Sequence, residues 1–258
     1  PNDATQNIGN GSYSTADPYV KKVWDGRYTG IRMCNELLEN IDRVPDLDPE
    51  LKKRYIGEAK VLRAYNYYEL YTKFGDVPYT TKVLSIKESM SIARTAKATV
   101  IANVLADLDE VINGNYLPTS YDADNKGRIT RWAAMAIKAK IYLFEGNWTQ
   151  VKNITSTIMT EGGFKLFESY AGLFEIANEY NSEVILDAQY RPTSREHQMM
   201  YVFLPPTLGG YSQLSPLQEL VDSYIMLDGK TIKETGTSFD ESHPYANRDP
   251  RLKATVMY

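Results

Sequence analysis

Residues 48–79 constrain the fold more than any other stretch. Asp48 followed by Pro49 is a helix N-cap with proline at the first helical position, where its missing N–H costs nothing. From Glu50 to Phe74 only Gly57 interrupts a helical pattern, and Gly75 supplies the stop. Projected on a helix, Leu62, Tyr65, Tyr67, Tyr68, Leu70, Tyr71 and Phe74 are apolar almost all the way round. A surface helix carries one apolar stripe, so this one is expected to be enclosed by neighbours on most sides. It is the expected hub of an all-α domain.

The flanking segments supply those neighbours. Residues 1–16 read as loop, rich in Gly, Asn, Ser and Thr. A helix begins at Asp17-Pro18 and runs to about Asp42, with Val20, Trp24, Tyr28, Ile31, Leu38 and Ile41 at helical spacing. Gly26 and Gly30 lie inside it, and close helix approach is the expected reason for both. The short link to the hub implies an antiparallel pair. A third helix is predicted over residues 99–113, with Ile101, Val104, Leu105, Leu108 and Ile112 on one face. Thr130 caps a fourth, whose buried stripe is Ala133, Ala136, Ile137, Ile141 and Phe144. Gly146-Asn147 turn it into a fifth, with Trp148, Val151, Ile154 and Ile158 facing inward.

A repeat joins these pieces. Tyr71-x-x-x-Gly75-Asp76 closes one helix and Tyr142-x-x-x-Gly146-Asn147 another, 71 residues further on. That is close to twice the period of about 34 residues in tetratricopeptide (TPR) repeats. The expected fold class is all-α, with TPR-like helical hairpins, a loop-rich second part and little β structure. Residues 1–178 are expected to form the helical core and 179–258 the loop-rich part. Beyond Gly163, Glu183–Tyr190 is the one strand-like segment, flanked by Asn181-Ser182 and Pro192. Residues 191–215 read as an irregular loop, and Ser215-Pro216 starts a short helix that ends before Asp228-Gly229.

Composition limits the function. A length of 258 residues fits one or two domains, and 43% hydrophobic residues can fill a large core. A net charge of −4 argues against nucleic acid as partner. No apolar run approaches the roughly 18–20 residues that span a bilayer. The opening proline reads as the start of an excised portion of a longer polypeptide. Cys34 is the single cysteine and reads as a small core residue. Twenty tyrosines combine apolar rings with polar tips, suited both to helix interfaces and to ligand stacking.

Catalytic and metal motifs are missing from the pattern. Asp122-Ala-Asp124-Asn-Lys126-Gly127 resembles the start of a calcium loop, but Lys126 and Ala133 occupy positions that need oxygen ligands, so it reads as a solvated inter-helix loop. His197 and His243 belong to no metal or nucleophile motif. No two carboxylates are marked as an acid–base pair. Glu58, Arg63 and Glu69 are charges inside the hub, expected to pair with neighbouring helices or to cap their turns. The expectation is no catalytic residues, no metal and no cofactor.

An ordered series of short motifs is similar to the SusD/RagB family of outer-membrane nutrient-binding lipoproteins. It comprises Arg32-Met-Cys-Asn35-Glu, Gly57-Glu58-Ala59 with Leu62-Arg63-Ala64-Tyr65, and Phe74-Gly75-Asp76-Val77-Pro78. Gly127-Arg128-Ile-Thr130, Tyr142-Leu143 with Gly146-Asn147-Trp148, Asp228-Gly229-Lys230 and Asn247-Arg248-Asp249-Pro250-Arg251-Leu252 complete it. The resemblance implies four TPR-like helix pairs and a loop-rich part that carries much of the ligand surface. It implies an oligosaccharide- or peptide-binding protein of the cell surface, lipid-anchored in the outer membrane. Such a protein passes its ligand without catalysis to a SusC-like TonB-dependent transporter. The lipid-bearing cysteine and the continuation past the last motif lie outside this sequence, which makes 179–258 the truncated start of the family's C-terminal region. Family glycan sites stack sugars on aromatic rings, and the loop positions suited to this are Tyr13, Tyr19, Tyr201 and Tyr211. A TPR-type protein–protein adaptor is the first alternative, and a helical-barrel glycoside hydrolase the second.

Overall fold

The computed structural model describes residues 4–191, 193–197 and 199–258. The chain divides into two compact units, Pro1–Phe164 and Lys165–Tyr258. The division thus falls at the end of the last long helix, upstream of residue 178.

The first unit is helical. Helix α1 (Ala4–Gly9) occupies part of the segment read as loop, because nothing from Ala4 to Ile8 breaks a helix. Helix α2 (Pro18–Asn40) starts on the Asp17 cap, whose carboxylate accepts from the Tyr19 amide, and passes into a 3₁₀ turn, Ile41–Arg43. The hub, α3, spans Pro49–Phe74 and ends on Gly75 at φ 68°. Short α4 (Ile86–Ser91) begins with a Ser85/Glu88 capping box. Then follow α5 (Lys97–Asn113), α6 (Arg131–Phe144) and α7 (Trp148–Glu161). Helix α3 packs on α2 and α5, α5 on α6, and α6 on α7.

The hub is enclosed as the hydrophobic pattern requires. Val61, Ala64, Tyr67 and Leu70 are fully buried, and from Leu51 to Phe74 only Leu62 and Lys73 are exposed. Its charges face neighbours. Glu58 takes a bidentate grip from Arg128 at 2.8 and 2.5 Å, and Arg63 reaches Asp107 on α5 at 2.7 Å. Gly57 allows Tyr116 and Leu117 to press against the helix, since a Cβ there would lie 2.8 Å from the Tyr116 Cβ. Gly30 is likewise a close approach, with Asn66 at 2.9 Å from its virtual Cβ. Gly26 is not, because nothing lies within 4 Å of that position.

Two residues assigned inward are exposed. Trp148 is 67% and Phe144 50% accessible, because each sits where its helix meets the Gly146 turn; Phe144 still meets Tyr68 and Tyr71 of α3 edge-on. Cys34 is buried, and burial pushes its thiol up to about 11, which leaves it unreactive at neutral pH.

Burial also pushes up the hydroxyls of Tyr28, Tyr67 and Tyr71, and those of Tyr79 and Tyr121 to about 12. A folded pKa raised above the unfolded value of 10.0 means that stability is intact below pH 10 and falls as pH climbs towards 12. Alkaline titration followed by helical circular dichroism and tyrosinate absorbance should show these rings ionising together with unfolding. Their independent ionisation near pH 10 with helicity retained would contradict the packing.

The second unit is built from short elements. Two 3₁₀ turns, Gly172–Phe174 and Ile176–Asn178, precede α8 (Met199–Phe203), and a third, Pro206–Leu208, follows it. Helices α9 (Gln218–Ser223) and α10 (Pro250–Thr255) complete it. Glu183–Tyr190 is not a strand: it opens in a turn closed by the Val184 amide on the Asn181 carbonyl, bends at Ile185, and no ladder pairs it among the described residues. Its expected flank Pro192 lies outside the described residues, as does Gln198 of the segment read as irregular. Helix α9 starts two residues after Pro216, at a Leu217 N-cap without a side-chain bond.

Val221, Leu252 and Val256 form a small core under Tyr224. Arg248 is buried beside it, donating to the carbonyls of Pro244, Val221 and Tyr224 at 2.7–2.8 Å. Asp249 caps α10. The Asn-Arg-Asp-Pro run is therefore a structural clasp. Asp228-Gly229-Lys230 is another: Asp228 accepts from the Lys230 and Ser238 amides around Gly229 at φ 83°.

Candidate functional site

Tyr201 and Tyr211 are brought together by a compact turn. Tyr201 lies on α8, which replaces part of the expected irregular loop, and Pro205-Pro206 end that helix. The chain reverses through Gly209 in the left-handed conformation, at φ 83°. Gly210 then passes so close to Leu204 that a Cβ would stand 2.0 Å from its carbonyl oxygen, so only glycine fits. The returning strand of backbone is pinned to the helix: the Tyr211 amide donates to the Tyr201 carbonyl at 2.7 Å and the Gln213 amide to that of Val202 at 2.8 Å.

The consequence is a pair of rings with centroids 6.2 Å apart and planes inclined by 34°. Both are open to solvent, 56% for Tyr201 and 66% for Tyr211. Exposed Phe203, Leu208 and Leu214 belong to the same turn. Aromatic faces backed by a rigid backbone can stack on apolar C–H surfaces, and the phenol hydroxyls remain able to hydrogen-bond.

Tyr13 and Tyr19 belong to the first unit. Tyr13 follows α1, its amide bonded to the Asn7 carbonyl, and is 55% exposed. Tyr19 sits in the first turn of α2 instead of a loop and is 37% exposed. Among the described residues no ring contact joins either to another aromatic side chain.

Sequence reasoning passed over Tyr190. It forms an edge-to-face pair with His197, centroids 5.1 Å apart, and the Arg195 guanidinium lies 5.6 Å from its ring centre. Tyr190 and His197 border a cleft of about 590 Å³ with Asp187, Glu179 and Glu196. The paired amide–carbonyl bonds between Arg191 and Arg195 bring Tyr190 and His197 together. The available signal was an aromatic residue and a histidine on either side of a short polar turn. No cluster of His, Cys, Asp and Glu with metal-site geometry occurs among the described residues. Nor is any helix among them long and apolar enough to cross a membrane.

Comparison with known proteins places this geometry in context. Residues 2–143 match a family described as starch-binding and associating with the outer membrane, and residues 172–258 match the SusD family. SusD-like protein P25 of Formosa agariphila is 31% identical over 166 residues, covering 64% of this chain and 31% of that protein. A SusD-like carbohydrate-binding protein from Bacteroides fragilis superposes with a TM-score of 0.92 at 26% identity, over 100% of this chain and 50% of that one. A laminarin-binding SusD-like protein superposes with a TM-score of 0.60 at 32% identity, over 64% of this chain and 36% of that one. The chain spans half or less of the length of these relatives. With one family description matching more than half of the sequence and another most of the remainder, in the order of the motifs in the sequence, the chain belongs to the SusD/RagB family.

Proposed function

We propose that the protein is a non-catalytic, surface-exposed capture component for oligosaccharides, lipid-anchored at the outer membrane in its full-length form. It hands its ligand to a SusC-like TonB-dependent transporter. The observation that carries the ligand side of this reading is the Tyr201/Tyr211 pair, two exposed rings held by backbone bonds instead of by burial. The family description as starch-binding and the laminarin-binding relative support a glycan as ligand. A non-catalytic role is supported by the carboxylates of the helical unit. Glu58, Asp107, Asp109 and Glu145 are engaged with Arg128, Arg63, Lys138 and Lys97. Tyr13 and Tyr19 are proposed as secondary contacts on the first unit.

Affinity electrophoresis in gels containing laminarin, starch or other soluble glycans tests the reading. One gel should retard the protein without release of shorter sugars. Tyr201→Ala and Tyr211→Ala should each weaken retention by roughly tenfold, equivalent to about 1.4 kcal/mol per lost stacking face. The melting temperature should hardly move, because both rings are solvent-exposed. Unchanged retention in both variants would remove the pair from the site. Co-purification of the full-length protein with an outer-membrane β-barrel tests the transporter partner.

A further inference from the structure

A second cleft lies wholly within the helical unit, where the N-terminal end of α3 meets the N-terminal end of α6. Its volume is about 550 Å³, and Arg54 and Arg131 line it together with Asn115 and Thr119. The two arginines, like Arg248 of the other unit, share one property. The Nε of each is buried and has no hydrogen-bond partner. A buried guanidinium N–H without an acceptor is costly, and native structures leave few such groups unmatched. Arg54 is held by rings, its guanidinium carbon 5.5 Å from the Tyr55 ring centre and 5.7 Å from that of Tyr121. Stacking of this kind fixes the guanidinium plane but satisfies none of its in-plane donors.

The surrounding backbone adds to the field. Arg131 is the first residue of α6, and the amides of both helix starts give a positive end to the cleft. The loop that forms its wall is fixed, because Leu117 is buried against Gly57 and the Arg131 amide donates to the Pro118 carbonyl at 2.9 Å. Asn115 is held in that loop at φ 50°, a left-handed conformation. Two carboxylates stand at the rim, Asp48 and Glu50. Asp48 is already engaged as the α3 cap, accepting from the Leu51 amide at 2.8 Å, and both are solvent-exposed, so water can hydrate them. The buried Nε atoms offer no surface to a solute; what the cleft offers an anion is the terminal nitrogens of the two guanidiniums, for which no ion pair occurs among the described residues.

We propose that this cleft is an oxyanion site, taking a carboxylate or sulfate group, of the kind borne by an acidic sugar, on Arg54 and Arg131. Planar guanidinium groups match both oxyanions geometrically. The site stands independently of the Tyr201/Tyr211 pair, which belongs to the other unit.

The test is titration of the whole protein with sodium glucuronate and with sodium sulfate at constant ionic strength in chloride, using glucose as the uncharged control. Amide chemical shifts provide the readout. Saturable shifts centred on residues 51–54, 115–119 and 131, produced by either anion and not by glucose, are expected. Glucuronate binding alone identifies an acidic sugar as the ligand, whereas equal binding of sulfate identifies a general oxyanion site. Arg131→Gln should weaken binding at least tenfold and leave the circular dichroism spectrum unchanged. Arg54→Gln should do the same, and Tyr201→Ala should leave the titration as in the unsubstituted protein. Absence of saturation with both anions, or saturation unaltered by Arg131→Gln, overturns the proposal. The wild-type shift map decides the matter even if a variant folds poorly.

Discussion

Arg63→Met is expected to remove about 3–5 kcal/mol of stability from the helical unit. Arg63 lies inside the hub, with 4% of its surface accessible. Its Nε and one terminal nitrogen grip Asp107 of α5 at 3.1 and 2.7 Å, and the other terminal nitrogen donates to Asn35 of α2 at 2.9 Å. Asn35 in turn donates to the carbonyls of Thr80 and Lys82 at 3.2 and 3.1 Å. One side chain thus joins three helices and the extended segment after Gly75.

Methionine fills a similar volume but leaves the Asp107 carboxylate and the Asn35 amide oxygen with lost partners in a poorly solvated place. The cost lies in that stranded polarity more than in packing. Asp107 retains Lys60 at 3.8 Å, which softens the loss without replacing two donors on one oxygen. Urea unfolding followed by circular dichroism measures the effect. Arg63→Met combined with Asp107→Leu should recover part of it, since the apolar pair strands no carboxylate and leaves only the Asn35 amide oxygen without its partner. A loss below about 1 kcal/mol in the single variant would show that the network does not brace the fold.

Tyr67→Ala is the second large effect, also about 3–5 kcal/mol. Tyr67 is fully buried, its ring 4.6 Å from that of Tyr79. Its hydroxyl accepts from the Thr80 amide at 2.8 Å and donates to the Thr80 carbonyl at 2.9 Å. Truncation to alanine opens a cavity and frees the 77–84 segment from α3. Tyr67→Phe separates the two contributions: it keeps the ring, leaves the Thr80 amide unmatched and should cost about 1–3 kcal/mol. Hydrogen exchange at Thr80 and Lys82 should accelerate in both variants. Equal stability of the phenylalanine and tyrosine forms would show that the hydroxyl contacts contribute nothing net.

The helical unit was legible because its signals are local and repeated. The Asp17-Pro18, Asp48-Pro49 and Thr130 starts and the Gly75 stop fall where the helices begin and end. Caps and apolar spacing act within one turn, so one sequence reveals them. The misread positions depend on what lies across from them. Trp148 and Phe144 are apolar at helical spacing, yet the hairpin end leaves Trp148 largely uncovered and Phe144 half covered. Gly26 and Gly30 look alike in sequence, and only the position of Asn66 makes one a contact and the other not.

The same boundary separates what was legible about function. Exposed tyrosines can be named from composition and loop context, but their pairing rests on Gly210 closing against Leu204 and on the register of two backbone bonds. The Arg54/Arg131 cleft left no motif at all, since its two arginines come from helices nearly 80 positions apart and its wall from the loop between α5 and α6.

The sequence by itself determined the long helices, their order, the hub among them and the family, because capping chemistry, hydrophobic period and ordered motifs are properties of short segments. Tertiary structure alone decided which rings pair, which charges are buried and which donors are left without acceptors. Those outcomes depend on distances between segments remote in the chain, and no local rule of spacing encodes them.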